Sequence, residues 1–320
     1  MKKKIRILVP TYNEQENIEE LVQTVCEYFE ESLKDYDFFI HIQDNKSTDK
    51  TREIVKRLAK ENNKVKAIFN ANNFGLFNSQ FYGLIANDIG EKSDATIIFA
   101  ADFQDPVDMI GKFIAKWEEE GHQVVVGVKT KSKESKIMRF FRTRYYKLIK
   151  KMSSIEQIPH FTGFAIYDNT FIETLKKLDD PIPFLRGLVA EFCPNHGTIE
   201  YTQEKRKRGK SSYNFPRLYD VAMTSITTYT KRLPRYATIW GAIMSFVSFM
   251  GLVALGVLRV FFDQISFAYI GLAAVGFFAF LNMFFIGILG EYLVTMNTRL
   301  INRPLVIEEE RVGYDESQKG

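Results

Sequence analysis

Short β-rich runs recur along the first two-thirds of the chain, at 5–10 (IRILVP), 38–43 (FFIHIQ), 64–69 (KVKAIF), 95–100 (ATIIFA) and 123–128 (QVVVGV). Between several of them apolar residues return at helical spacing, which predicts helices over 16–32 and 50–60. Strands alternating with helices predict an α/β fold built on a parallel, doubly wound sheet. Ligands of such sheets bind beyond the carboxyl ends of the strands. That rule points to Pro10–Glu14, Asp44–Asp49, Ala101–Gln104 and Lys129.

The last third reads differently. Tyr236–Leu258 and Gln264–Gly290 are charge-free runs of 23 and 27 residues. A membrane-spanning helix needs about 20 mostly apolar residues, and the short connection predicts a hairpin of two spans. A buried helical pair in a soluble core is the alternative, but soluble helices of this length usually carry a polar stripe. Lys231, Arg232 and Arg235 precede the first run, and Arg299 and Arg303 follow the second. The positive-inside rule then puts residues 1–235 and the C-terminal tail on the cytoplasmic side of the membrane. The expected organisation is an α/β domain over 1–212, a juxtamembrane helix over 213–235, two spans over 236–295 and a tail over 296–320 that is charged and frayed from Glu308.

Composition narrows the chemistry. With 46% hydrophobic and 26% charged residues the chain is not intrinsically disordered. Two cysteines, Cys26 and Cys193, exclude a disulfide scaffold, and the four histidines have no ligand spacing. A net charge of +4 without a domain-wide basic excess argues against nucleic acid as a partner. Neither GxxxxGK[ST] nor GxGxxG occurs. What stands out is three acidic strand ends, PTYNE (10–14), DNKSTD (44–49) and ADFQDP (101–106), which one sheet edge brings together. Ser47 and Asp49 read equally as helix caps, and Asp105 reads foremost as a turn residue before Pro106.

These residues carry a resemblance. VPTYNEQENI (9–18), DNKSTDKT (44–51), ADFQDP (101–106), PFLRGLV (183–189), the RxxGxS element at Arg206–Ser211 and the two apolar runs ending GEYL (290–293) and RP (303–304) resemble, in that order, the polyprenyl-phosphate branch of family 2 glycosyltransferases. That branch includes dolichol-phosphate mannose synthases and bactoprenol glucosyltransferases. The resemblance implies a GT-A (Rossmann-like), mostly parallel sheet followed by juxtamembrane helices and a two-helix transmembrane hairpin. It implies inverting transfer of one sugar from a UDP- or GDP-sugar to a polyprenyl phosphate at the bilayer surface, with Mg²⁺ or Mn²⁺, and a possible homo-tetramer.

Roles follow from the resemblance position by position. Pro10, Tyr12 and Glu14 match the element holding base and ribose, and Asp44 the second carboxylate of that pocket. Asp102 and Gln104 match the metal ligands. Lys129, Arg206, Arg208 and Lys210 match cations that face phosphate. Two positions depart from the family pattern. Ala100 stands for the first Asp of Asp-x-Asp, and Gly163 stands where members often have a candidate catalytic Asp. Mg²⁺ commonly takes only one or two carboxylates, and a phosphate monoester with a second pKa near ~6 is already a nucleophile at neutral pH. The two departures also motivate the alternative of a catalytically silent membrane protein that binds a nucleotide-sugar as partner or sensor. A processive polysaccharide synthase would carry a QxxRW element and more spans, which are lacking.

Two further stretches suit a membrane surface. Over 136–151 Lys and Arg interleave with Ile137, Phe140, Phe141, Tyr145, Leu148 and Ile149, as in a basic amphipathic helix on an anionic bilayer. Asn214–Arg235 reads as the juxtamembrane helix. Arg186 fits phosphate or a nearby carboxylate equally. His160, Cys193 and His196 read as structural.

Overall fold

The computed structural model describes residues 2–86, 92–131, 158–178, 180, 183–204, 267–301 and 303–314, with 223, 243 and 250 singly. The chain divides into two compact units. One is Met1–Arg144 with Glu156–Asn214 and Asn302–Gly320; the other is Tyr145–Ile155 with Phe215–Ile301.

The first unit is an α/β sheet. Its strands are β1 (Lys4–Thr11), β2 (Asp37–Asp44), β3 (Val65–Asn70), β4 (Ala95–Ile98), β5 (Val124–Lys131), β6 (Phe161–Asp168), β7 (Gly197–Thr202) and β8 (Glu308–Val312). Their spatial order is β7-β5-β6-β4-β1-β2-β3-β8. The helices are α1 (Ile18–Ser32), α2 (Thr51–Glu61), α3 (Leu76–Ile85), α4 (Met109–Glu120), α5 (Asn169–Lys176) and α6 (Leu185–Phe192). The helices expected over 16–32 and 50–60 are α1 and α2, and the five expected strands are β1–β5.

Period-two alternation explains the two cores. Ile5, Ile7 and Val9 of β1 pack with the buried stripe of α1 (Ile18, Leu21, Val22, Val25, Phe29) and with Ile110, Phe113 and Ile114 of α4. Leu8 faces the other way, into a cluster with Phe81 and Leu84 of α3 and Phe171 and Leu175 of α5. A sheet covered on both faces needs strands that are buried throughout, and β2 and β3 are buried along nearly their whole length.

Two strands depart from the parallel expectation. β6 runs antiparallel to both β4 and β5, and β8 runs antiparallel to β3. β8 also corrects the expectation of a frayed tail. Glu309 and Glu310 meet cations of α2 and the β2–α2 turn, Glu308 accepts from Tyr82 Oη and Arg311, Val306 is buried and Val312 packs on the core. Gly313 closes the strand at φ +81°, where a Cβ would stand 2.6 Å from the Val65 carbonyl oxygen.

The α3 face of the sheet holds a polar row that apolar patterning hides. Arg6 is 1% exposed. It donates to the carbonyls of Gly83 (3.0 Å), Leu84 (2.5 Å) and Ala86 (3.0 Å) and to Thr96 Oγ1 (2.9 Å). The carbonyls are the orphan acceptors at the C-terminus of α3, where a cation also complements the helix dipole. Burial, with Arg6 beside it, holds the His41 imidazole well below its usual range.

In the second unit, Phe267–Ile301 forms one helix of 35 residues, α7. Among the described residues no helix is long and apolar enough to cross a membrane. The run 236–258, the 136–151 stretch and the 214–235 stretch lie outside the described residues, apart from single positions.

Arg6→Met strips several buried acceptors of their donor, so it is expected to lower unfolding stability by about 3 kcal/mol. Denaturant titration of the purified protein reads this directly.

Candidate functional site

Register builds the site. β1 and β2 pair in parallel with Thr11 opposite Asp44, and β2 pairs with β3 with Asp44 opposite Phe69. β1 also pairs in parallel with β4. The carboxyl ends of these four strands therefore form one edge, and the loops leaving them carry Tyr12, Asn13, Glu14, Asp44, Asn45, Asp102 and Gln104. The antiparallel strands β6 and β8 begin at that same edge, with His160 and Glu308.

Backbone strain concentrates there. Among the described residues the non-glycine positions with positive φ are Asn13 (56°), Lys46 (65°), Phe103 (56°) and His160 (60°), and each sits in a loop of this edge. Such conformations cost free energy and persist where surrounding bonds fix them. Here those bonds run between loops. Asn13 N donates to Ser47 Oγ (2.9 Å), Thr48 N to Asn13 Oδ1 (2.8 Å), Glu14 N to Thr51 Oγ1 (2.9 Å) and Lys50 N to Gln15 Oε1 (3.0 Å). Asp49 Oδ2 accepts from Gln15 N (3.3 Å), and its Oδ1 from Thr51 N (3.0 Å) within its own loop. Ser47 and Asp49 thus lace two loops together. Asp49 also turns the chain into α2.

Pro10 lies in β1 opposite Gln43. Tyr12 is partly buried. The Glu14 carbonyl accepts from Asn17 N and Ile18 N at the start of α1, and its carboxylate accepts from Asn17 Nδ2 (2.8 Å). Asp44 is fully buried. Its Oδ1 accepts from Ser47 N (3.1 Å) and lies 3.3 Å from Arg52 Nε, whereas its Oδ2 has no hydrogen-bond partner. Burial pushes the Asp44 carboxyl up, against the Ser47 bonds and the Arg52 charge that pull it down. A buried acceptor left empty at a sheet edge is a place for a donor from a ligand.

A polar ladder behind Asp44 fixes the next loop. Gln43 Nε2 donates to Asn70 Oδ1 (2.7 Å), and Asn70 Nδ2 donates to Asn45 Oδ1 and to Ser79 Oγ (3.1 Å each). Asn45 Nδ2 reaches Asn73 Oδ1 (2.9 Å), and Phe74 N donates to Asn45 Oδ1 (3.0 Å). Sequence reading missed Asn70 and Asn73; the visible signal was a cluster of Asn residues at the end of β3 and just beyond it.

At the β4 end, Asp102 and Gln104 are partly buried. Asp102 Oδ1 accepts from Gln104 N (3.2 Å). Asp105 is 7% exposed and accepts from Tyr201 Oη (2.6 Å). Burial raises its carboxyl, with Tyr201 and Lys129 opposing that rise. Asp105 thus ties the loop after β4 to β7, a contact its reading as a turn residue did not include. Lys129 stands on β5 opposite Tyr201. Beyond β7, Glu204 N donates to Gln104 O (2.9 Å), so the chain toward Arg206 departs beside Gln104. Arg206, Arg208 and Lys210 lie outside the described residues.

The donor set suits a hard divalent ion in one specific way. Among the described residues no three His, Cys, Asp or Glu side chains gather as a cage. Asp102 offers one carboxylate, Gln104 an amide oxygen, and Asp105 is already engaged by Tyr201. That set fits an ion completing its shell with water and substrate phosphate. Gly163 opens β6 at φ +104°, and a Cβ there would meet Gln80 Nε2 at 3.1 Å. Any side chain at this position is strained.

Tyr201→Phe leaves the buried Asp105 carboxyl short of a donor and is expected to cost about 2 kcal/mol of stability, read by denaturant unfolding. A carboxyl whose folded-state pKa is raised penalises the fold as pH rises above the ordinary carboxylate range. Asp44→Asn removes that penalty, so its melting temperature at neutral pH is expected to be no lower than the parent's, with the difference narrowing as the pH falls into the carboxylate range. A clear fall at neutral pH would contradict the burial argument.

The family model for glycosyl transferase family 2 matches residues 6–175, more than half of the chain. Over 312 residues the chain is 28% identical to the uncharacterized glycosyltransferase YkcC of Bacillus subtilis, covering 97% of this chain and 94% of that protein. It is 28% identical over 305 residues to the SfII prophage-derived bactoprenol glucosyl transferase of Shigella flexneri, covering 95% and 97%. A solved structure with a TM-score of 0.48 is glucosyl-3-phosphoglycerate synthase from Mycobacterium tuberculosis, 14% identical, covering 71% of this chain and 78% of that one. With the family match spanning β1 to α5, the chain belongs to glycosyl transferase family 2 and is a glycosyltransferase.

Proposed function

We propose that this enzyme moves a single sugar from a UDP- or GDP-sugar to a polyprenyl phosphate at the cytoplasmic face of a membrane, with inversion at the anomeric carbon and a GT-A catalytic domain. The observation carrying this reading is similarity over nearly the whole length of proteins named bactoprenol glucosyl transferases, 95% of this chain and 97% of the relative. Such coverage includes the charge-free runs 236–258 and 264–290 as well as the sheet. α7 supports a membrane role. It is apolar along most of its length, and Val275, Ile286, Leu293 and Val294 are each more than 60% exposed. Exposed apolar side chains of this kind suit contact with lipid or another apolar surface.

In this reading the empty Asp44 Oδ2 accepts an N–H of the nucleobase, and the laced loops 12–15 and 45–51 hold base and ribose. Asp102 and Gln104 would hold Mg²⁺ or Mn²⁺, which neutralises charge developing on the leaving diphosphate. Lys129, with Arg206, Arg208 and Lys210 beyond β7, offsets the charge of two anionic substrates. The acceptor phosphate, largely dianionic at neutral pH, attacks the anomeric carbon as the bond to the nucleotide diphosphate breaks, so no proton needs removal. Gly163 in place of a carboxylate is compatible with that chemistry. It gives no ground for the silent alternative.

The test is full-length enzyme in detergent with radiolabelled UDP-glucose, other UDP- and GDP-sugars, undecaprenyl phosphate and Mg²⁺. Label is expected in the lipid phase with at least one donor. Asp102→Ala is expected to lower turnover at least about a hundredfold. No glycolipid with any donor, or full activity of the variant, would overturn the reading.

A further inference from the structure

The C-terminal strand makes contacts that packing alone does not require. β8 pairs with the outer edge of β3, with Asn70 opposite Glu308 and Phe69 opposite Glu310, and Ala71 N donates to Ile307 O (2.8 Å). This places the acidic start of β8 at the ligand-binding edge. Glu309 Oε2 then reaches two cations, Lys46 Nζ (2.8 Å) and Arg52 Nη2 (2.9 Å). Lys46 is the strained residue two positions after Asp44. Arg52 is the residue whose Nε lies 3.3 Å from Asp44 Oδ1. The Arg52 guanidinium also stacks 4.9 Å above the Phe69 ring. One guanidinium thus hydrogen-bonds the tail carboxylate and, at ion-pair distance, faces the buried carboxylate whose second oxygen is empty.

We propose that Glu309 is a positioning residue of the donor site: through Arg52, and through Lys46 in the turn behind it, the C-terminal strand fixes the Asp44 carboxylate for the nucleobase. The proposal rests on the reading of Asp44 as a nucleobase contact. Arg52 is planar and forked, so the bond to Glu309 sets the plane in which its Nε meets Asp44. Held there, Arg52 occupies one side of the Asp44 carboxylate and leaves Oδ2 for the ligand. Lys56 provides an internal control. It pairs with Glu310 on the same strand and lies over the Phe69 ring, and among the described residues it makes no ion pair with Asp44. A strand that served only as a brace would respond alike to the loss of either pair.

The experiment measures binding of UDP, GDP and dTDP to the full-length protein in detergent with Mg²⁺ by calorimetry, and follows the tightest of them. Glu309→Gln is expected to raise Kd about fivefold, while Lys56→Gln stays within about twofold. Arg52→Gln is expected to raise Kd about tenfold and Arg52→Lys less. Asp44→Asn raises Kd as well, and adding Glu309→Gln to it has little further effect, because the two act as one chain. In turnover assays Glu309→Gln raises KM for the donor and leaves kcat and the KM for lipid phosphate unchanged. Equal effects of Glu309→Gln and Lys56→Gln would overturn the proposal. So would a Kd that rises for Asp44→Asn but not for Glu309→Gln, which leaves the reading of Asp44 intact. An unchanged Kd for Asp44→Asn, or no nucleotide binding at all by the parent, removes that reading and the proposal with it. If Glu309→Gln fails to fold, Arg52→Lys against Lys56→Gln decides the same question.

Discussion

Parallel pairing of β1 with β2 and β4 is the constraint on which the site depends. Because side chains alternate and registers are fixed, Thr11 and Asp44 end level with one another, and the β4 loop carrying Asp102 emerges from the same edge. A one-residue slip in β2 would turn Asp44 from the α2 side to the α3 side and exchange it with Gln43. The burial of both strands on two faces forbids that slip. The geometry of this edge is a consequence of core packing several residues away.

The edge then needs its charges held. Three kinds of bond do this. Side chains of one loop satisfy backbone N–H groups of the next, a ladder of amides runs behind Asp44, and cations from α2 face the carboxylates. Strained backbone at Asn13 and Lys46 persists because these bonds over-determine each loop. The result is preorganised polarity at a sheet edge, which suits a ligand with a nucleobase at one end and phosphates at the other.

Much of this was legible in the sequence. Apolar runs gave β1–β5, acidic strand ends gave the edge, and motif order gave the family. What the pattern hid has physical causes. Pairing direction is set by tertiary neighbours, so the antiparallel placement of β6 between β4 and β5 left no local trace. β8 reads EEERV, a stretch that looks solvated until Lys46, Arg52 and Lys56, some 250 residues away, come to meet it. Arg6 and His41 sit inside runs that read as apolar strands, and the acceptors that make their burial tolerable come from α3, β2 and β4. Asp105 resembled a turn residue by its neighbour Pro106, and its bond to Tyr201 on a strand 96 residues later adds a second role.

The central claim is that the turn after β2 and the loop after β4 close on one ligand. Hydrogen–deuterium exchange with and without a UDP- or GDP-sugar and Mg²⁺ tests it most directly. Protection is expected to rise together, at the same ligand concentration, in peptides covering 44–51 and 101–105. Protection in only one of them, or only in peptides from the opposite edge of the sheet, would contradict the account.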